Sequence, residues 1–138
     1  MNTGYPYTVE ADENGGFFVQ FIDIENAFTE GNDLEEAKFN AEEVLSLVLS
    51  CILDDDETIP EPSICPENAF IAYPASKIQT AILLRKARGN RSIVDLANSM
   101  NTTLNKVERL ESPKNSPSLN ELDKAAKALG KKLVLSFE

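Results

Sequence analysis

The stretch NGGFFVQFIDIENAFTEGNDLEEAKFNAEEVL, residues 14–45, contains the two patterns that decide the fold of the first half of the chain. Its first three residues, Asn-Gly-Gly, predict a tight hairpin turn, because glycine adopts positive φ without steric cost. Phe17, Val19 and Phe21 then fall on one face of a strand by its period of two. The stretch therefore begins with the turn and the second strand of a β-hairpin.

The second pattern is an amphipathic helix that begins after Asp33. Aspartate is a favourable N-cap residue, and Glu36 follows at the spacing of a capping box. Apolar residues then recur at intervals of three and four positions, which predicts a helix over about residues 34–53.

Strand-like segments flank this helix on both sides, with YPYTVE at residues 5–10 and NAFIAY at residues 68–73. A bend and a short third strand are expected over residues 26–31. The predicted class is therefore α+β: a β-β-β-α-β domain over residues 1–74, with the helix packed on a small, mainly antiparallel sheet. A second domain is predicted over residues 75–138, where the pattern becomes helical.

The composition predicts a folded protein and narrows its chemistry. Apolar residues make up 42% of the 138 residues, which predicts a packed core. There is no apolar run near the ~18 residues of a membrane span, no secretory signal pattern, and too few cysteines for a disulfide framework, so we expect a cytoplasmic protein. The absence of histidine removes the commonest general base and the usual zinc ligand, and we expect no cofactor or metal.

The net charge of −10 hides an asymmetry between the two halves of the chain. Residues 1–70 contain one lysine against 17 aspartates and glutamates, a formal charge of −16, whereas residues 71–138 carry a formal charge of +6. Such a division predicts two modules whose binding partners carry opposite charges. A basic protein suits the acidic half, and a polyanion suits the basic half.

The carboxylates of the first half have three interpretations. Asp12, Asp23 and Glu42 could hold catalytic Mg²⁺ in a nuclease, but their predicted positions converge poorly. Most of the carboxylates are expected to form a solvated surface. For a subset of them we favour the third interpretation, a docking face for a basic protein.

The segment SIVDLANSMNTTLNKVERLE, residues 92–111, predicts two short helices separated by the turn NTT at 101–103. Ser92 and Thr103 are the expected N-caps of the two helices. Asn101 stands where the turn needs a left-handed backbone, which asparagine tolerates better than other non-glycine residues. The flanking helices and the local positive charge favour a DNA-binding helix-turn-helix over a generic helical hairpin.

Residues 77–130 resemble the Cro/C1-type helix-turn-helix family through DLA at 95–97, Val107 and ERLE at 108–111. The resemblance implies that residues 103–111 form a recognition helix in the major groove of operator DNA. It implies base contacts from four residues: Leu104, Asn105, Lys106 and Arg109. Arg91, Ser92 and Thr103 are the further DNA-binding candidates.

The implied contacts agree with side-chain chemistry. Asn105 suits an adenine edge, Lys106 and Arg109 suit guanine edges or phosphates, and Leu104 suits a thymine methyl group. By their position near helix N-termini, Arg91, Ser92 and Thr103 are expected to donate to phosphates.

Two further features of the second half carry structural predictions. Glu111 is expected to hold an arginine, such as Arg85. The tail KKLVLSFE, residues 131–138, alternates in the manner of a short terminal strand. Pairing with the tail of a second copy would bury this strand and align two DNA-binding modules, so we predict a homodimer or a higher homo-oligomer; pairing within the same chain is the alternative.

Almost the whole chain resembles the HicB-type antitoxins of toxin–antitoxin systems. The shared pattern runs from the opening strand and the Gly-Gly hairpin through DI at 23–24, AFTEG at 27–31 and IPEPS at 59–63, and a helix-turn-helix follows. The resemblance implies a partial RNase H-like domain that neutralises HicA, a small RNA-cleaving toxin, and it implies repression of the operon that encodes both proteins. It therefore implies a binding protein and no enzyme.

The residues that contact such a toxin are expected on the acidic strand and on the bend that follows it, because carboxylates attract a basic RNA-binding protein and aromatic anchors supply affinity. Four contacts are predicted there: Asp23, Glu25, Phe28 and Glu30. Further anchor candidates, each of which could equally lie in the core, are Phe18, Ile22 and Tyr73. Two other functions stay open: a transcriptional regulator with a ligand-sensing first domain, and a carboxylate nuclease guided by its DNA-binding domain.

Overall fold

Four strands and five helices form the chain in a computed structural model that describes all of residues 1–138. The strands are β1 (Tyr5–Ala11), β2 (Phe17–Phe21), β3 (Phe28–Gly31) and β4 (Phe70–Ala72). The helices are α1 (Leu34–Asp54), α2 (Ser76–Arg88), α3 (Ile93–Ser99), α4 (Leu104–Leu110) and α5 (Leu119–Ala128). This order confirms the predicted α+β class, and none of the five helices is long and apolar enough to cross a membrane.

One antiparallel sheet contains all four strands in the order β3-β2-β1-β4. The predicted hairpin joins β1 to β2 through Gly15 and Gly16, whose φ angles are 82° and 111°. Because side chains alternate between the two faces, one set points towards α1 and forms the main core. This inner set includes Tyr5, Tyr7, Val19 and Phe21 of the two central strands. On the opposite face Pro6 is buried, whereas Phe18, Phe28 and Ile71 are exposed.

Helix α1 covers the inner face of the sheet and follows the predicted pattern. The Asp33 carboxylate accepts the N–H of Glu36 at 2.8 Å, as expected for the N-cap. At Gly31, where β3 meets α1, an added Cβ would lie 2.4 Å from the amide nitrogen of Ala37, so only glycine fits this close approach. The buried stripe of α1 consists of Ala37, Ala41, Leu45, Val48, Leu49 and Leu53.

Helix α2 belongs to two cores at once. Its first part contributes Ile78, Ala81 and Ile82 to the main core beneath the sheet. Its later residue Leu84 joins a separate cluster with Leu110 of α4 and with α5. The two halves of the chain therefore share this helix, and the division between residues 74 and 75 stays a prediction.

Helices α3 and α4 pack on each other across the turn that the sequence predicts. Leu96, Ala97 and Val107 are buried together at their crossing. Asn101 has a φ of 54°, the left-handed conformation expected for the turn, and the N–H of Thr102 returns to the Ala97 carbonyl at 2.9 Å.

The predicted strand in the tail is not formed within this chain. Residues 131–138 belong to no strand of the single sheet, and their last backbone hydrogen bond joins the Lys131 N–H to the carbonyl of Ala126. Leu133 packs on the α2–α4–α5 cluster, but the residues after it are exposed. A strand needs a hydrogen-bonding neighbour, and the chain places none beside the tail.

Candidate DNA-binding and partner-binding sites

The outward face of α4 presents the predicted base-contacting side chains together. Leu104, Asn105, Lys106 and Arg109 are all exposed, while Val107 and Leu110 of the same helix are buried. Because residues three and four positions apart share a helix face, Arg109 lies beside both Asn105 and Lys106. Neither cation takes part in an ion pair within the chain, so both are available to a polyanion.

The helix N-termini of this motif are capped by two of the predicted phosphate contacts. Ser92 and Thr103 each accept the backbone N–H three residues later, at 3.0 and 3.3 Å. Their hydroxyl protons remain available to a phosphate oxygen. Arg91, the third predicted phosphate contact, is engaged within the chain, where its Nη1 donates to the Ala128 carbonyl at the end of α5 at 3.1 Å.

Glu121 of α5 lies near Lys106 and Arg109 on the outward face of α4. No local sequence pattern indicates this position. Its pKa is lowered first by hydrogen bonds with the backbone and side chain of Ser118, and then by the charges of Arg109 and Lys106. The sequence reveals only the capping box of α5, in which Ser118 and Glu121 bond each other reciprocally at 3.0 and 3.1 Å. The structure therefore adds a carboxylate beside the predicted recognition residues.

The basic residues at the end of α2 are largely neutralised by carboxylates of the first half. Arg85 Nη1 lies 3.0 Å from Asp56 Oδ1, and Lys86 Nζ lies 3.0 Å from Glu61 Oε1. The local positive charge available to DNA is therefore smaller than the sequence count indicates. These pairs instead join the acidic half of the chain to α2.

Glu111 holds an arginine, as expected, but its main partner is Arg88 and not Arg85. Arg88 Nε lies 2.6 Å from Glu111 Oε2 and its Nη2 lies 3.0 Å from Oε1, whereas Arg85 Nε is 3.8 Å away. Arg85 is turned towards the end of α1, where Nη1 bonds Asp56 and Nη2 bonds the Leu53 carbonyl. The hydrogen bond to Glu111 raises the pKa of Arg88.

Three of the four predicted toxin contacts lie on the outer face of the sheet or at its border. Phe28 stacks on Phe18 with 6.3 Å between the ring centroids. Glu30 lies opposite Phe18 in the strand register, and Glu25 is exposed in the bend before β3. Ile22 is exposed as well, so these anchor candidates lie on the surface and not in the core.

The fourth predicted contact, Asp23, is engaged within the chain. Its carboxylate accepts the backbone N–H of Ser63 at 2.8 Å and also the Ser63 hydroxyl. It thereby anchors residues 57–68, which we term the proline strap. The Tyr5 hydroxyl provides a second anchor by donating to the Pro60 carbonyl at 2.6 Å. Burial, together with nearby carboxylates, raises the pKa of Tyr5 to about 12.

The carboxylates of the first half do not converge in the way that a two-metal nuclease requires. No group of three or more carboxylates or cysteines lies close enough to share a metal ion. Asp12 turns back on its own hairpin, where it accepts the N–H of Asn14 at 3.3 Å. The nuclease interpretation therefore has no supporting geometry.

The comparisons with known proteins agree on one class. Residues 4–78 match the family model described as the HicB_like antitoxin of bacterial toxin–antitoxin system. The chain is 32% identical over 138 residues to Antitoxin HicB 1 of Photorhabdus laumondii, with 99% of the chain and 88% of the relative covered. It is 33% identical over 136 residues to Antitoxin HicB of Escherichia coli K12, with 95% and 96% covered. It is 35% identical over 135 residues to Antitoxin HicB 2 of Photorhabdus laumondii, with 97% and 96% covered.

These matches place the chain among the antitoxins of bacterial toxin–antitoxin systems. Within that class, the chain belongs to the HicB-like antitoxin family. The likeness to the relatives extends beyond residue 78, where the family model ends, and so includes helices α3 to α5.

Proposed function

We propose that the chain is an antitoxin that binds and inhibits a basic, mRNA-cleaving toxin of the HicA type, and that it represses the operon encoding both proteins. In this proposal it acts in the cytoplasm and has no catalytic activity of its own. The observation that carries the proposal is the 32% to 35% identity to HicB antitoxins over nearly the whole chain.

The acidic half of the chain supports the toxin-binding part. An enzyme that grips RNA needs lysines and arginines for phosphate contact. A domain over residues 1–74 with one lysine presents the complementary potential, which accelerates association and competes with RNA. We propose Glu25, Phe28 and Glu30 as contacts, with Asp23 contributing through its hold on the proline strap.

The helical half supports the operator-binding part. The exposed row of Asn105, Lys106 and Arg109 on α4 offers donors suited to base edges in the major groove. Leu104 offers an apolar contact, and the capped N-termini of α3 and α4 offer hydroxyls to phosphates. These residues lie within the proposed DNA-binding and dimerisation domain, residues 75–138.

Operator recognition requires two copies in this proposal, because a single recognition helix of seven residues reads only a few base pairs. The tail supports a two-fold assembly. Val134, Leu135 and Phe137 are exposed and make no strand within their own chain. Pairing of two tails would bury these side chains and bring two α4 helices onto two half-sites.

A paired assay in bacteria tests the proposal. The product of the gene next to this one, which the proposal expects to be a HicA-type toxin, is expressed with or without the full chain, and the promoter upstream of the two genes drives a reporter. We expect the chain to restore growth and to repress the reporter. Repression without rescue would indicate the regulator with a ligand-sensing first domain, and rescue without repression would remove the autoregulatory part.

A further inference from the structure

The outer face of the sheet, turned away from α1, carries exposed apolar side chains. Strand alternation sends Phe18, Phe28 and Ile71 to this face, and Ile22 joins them just after β2. All four side chains are 42% to 48% exposed. We call these four residues the outer patch. Soluble monomers seldom leave large apolar side chains clustered on one uncovered face unless the face binds something.

The outer patch rests on a well-fixed backbone. Gln20, between Phe18 and Ile22, donates through its side-chain amide to the Glu25 carbonyl at 3.1 Å and so holds the bend before β3. At the other end, Ile71 lies directly over Gly4, where an added Cβ would be 2.8 Å from its side chain. A surface that is already formed loses little conformational entropy on binding.

The negative charge around the outer patch favours a basic partner. Glu10 and Glu30 lie on either side of Phe18 in the strand register. None of the four strands contains a lysine or arginine, and Lys38 lies on the helix side, with Nζ 4.6 Å from the centroid of Phe70. A second copy of this face or a nucleic acid would bring like charges together, whereas a basic protein is complementary.

We propose that the outer patch is the docking surface for the basic toxin. An apolar projection of the toxin packs on the Phe18–Phe28 pair and Ile22, and its lysines and arginines meet the surrounding glutamates. This inference rests on the proposed function and adds to it the surface on which neutralisation occurs.

Helix α1 provides matched controls for this surface. Phe39 and Leu47 are 64% and 65% exposed and are also surrounded by glutamates. They lie eight positions apart, which places them about 12 Å apart along the axis and roughly 80° apart around it. They are therefore two separate exposed side chains and form no common patch.

The test measures, by calorimetric titration, the affinity of full-length variants for the product of the neighbouring gene, which the proposed function expects to be a HicA-type toxin. Phe18→Ala combined with Phe28→Ala is expected to weaken binding by about 30-fold or more, the loss typical of interface anchors. Phe39→Ala combined with Leu47→Ala is expected to change affinity by less than about 3-fold, as residues outside an interface do. Equal losses from the two pairs, or a loss from the α1 pair alone, would overturn the inference.

Wild-type binding and the fold of the variants separate failure of the proposed function from failure of the docking surface. Wild-type chain that fails to bind the toxin contradicts the proposed function itself, whereas wild-type binding with unaffected outer-patch variants contradicts only the docking surface. If circular dichroism shows that the double variant is unfolded, hydrogen exchange on the wild-type complex replaces the affinity measurement. New protection over residues 17–30 on toxin binding supports the inference, and protection confined to residues 34–54 overturns it. A change of oligomeric state in the outer-patch variants would assign the face to a second copy instead.

Discussion

Arg88 and Glu111 form a two-point ion pair, at 2.6 and 3.0 Å, that ties the end of α2 to the residue that ends α4. Arg85 reaches the same carboxylate at 3.8 Å while it bonds Asp56 at 3.0 Å. A chain of charges therefore runs from the acidic end of α1 to the carboxyl end of the proposed recognition helix. The pair therefore joins the carboxyl end of α4 to the end of α2.

Arg88→Ala is expected to destabilise the chain by about 3 kcal/mol, because it leaves the buried Glu111 carboxylate with only the distant Arg85. Urea unfolding followed by circular dichroism measures the loss. The control is Lys114→Ala, which removes a 3.9 Å pair between exposed side chains and should cost less than about 1 kcal/mol. Similar losses of stability in both variants would show that the Arg88–Glu111 pair contributes no more than an exposed ion pair.

Gly31→Ala is expected to lower the free energy of unfolding by at least about 3 kcal/mol, because the new methyl group would meet the backbone of Ala37 at 2.4 Å. Gly15→Ala is the comparison. Gly15 has a φ of 82° with open space around it, so only the backbone conformation is penalised, by about 1 kcal/mol. Thermal melts of both variants check the ranking, and a milder effect at Gly31 would mean that β3 and α1 can separate at little cost.

Alkaline unfolding should depend on Tyr5. Its pKa rises from 10.0 to about 12 on folding. Between these values the unfolded chain releases a proton that the folded chain retains, so stability is fully present below pH 10 and falls as the pH rises towards 12. Tyr5→Phe removes this decline, which reaches roughly 2 kcal/mol at pH 12, and it also loses the hydrogen bond to the Pro60 carbonyl.

The variant should therefore be less stable than the wild type at pH 8, by about 1 kcal/mol, and show a shallower decline between pH 10 and 12. Urea midpoints across this range measure the slope. Parallel declines in the two proteins would contradict the assignment of the slope to Tyr5.

Lys106→Ala and Arg109→Ala are each expected to weaken binding to the promoter DNA of the operon by about 10-fold or more, because each removes a donor from the exposed face of α4. Lys77→Ala, an exposed lysine in the first turn of α2, is the control and should change affinity by less than about 2-fold. Fluorescence anisotropy at two salt concentrations gives both the affinity and the charge contribution. Unchanged affinity in both α4 variants would remove this helix from the DNA interface.

Local patterns predicted most of the fold, because each element is encoded by nearby residues. The N-cap at Asp33, the Gly-Gly hairpin and the left-handed Asn101 all follow from the preferences of one or two residues. The tail was the exception. Its alternating pattern predicts a strand, but strand formation depends on a neighbour that a single chain does not supply.

The site was less predictable, since its residues depend on distant contacts. Glu111 pairs with Arg88 and not with Arg85, because Arg85 bonds Asp56 at the end of α1. Asp56 and Arg85 are 29 positions apart in the sequence, so no local pattern indicates their contact. Asp23 looked like a free surface carboxylate, yet it holds Ser63, 40 positions away. Phe18 and Phe28 could be assigned to the surface only from the structure, which shows that α1 covers the other face of the sheet.

Titration of the HicA-type protein with the full chain, while cleavage of a labelled RNA is followed, tests the central claim most directly. We predict that cleavage stops at a fixed molar ratio of chain to toxin and that cleavage returns when the Phe18→Ala, Phe28→Ala double variant replaces the wild type. Undiminished RNA cleavage at a large excess of folded wild-type chain would contradict the assignment of this protein as an antitoxin of that toxin.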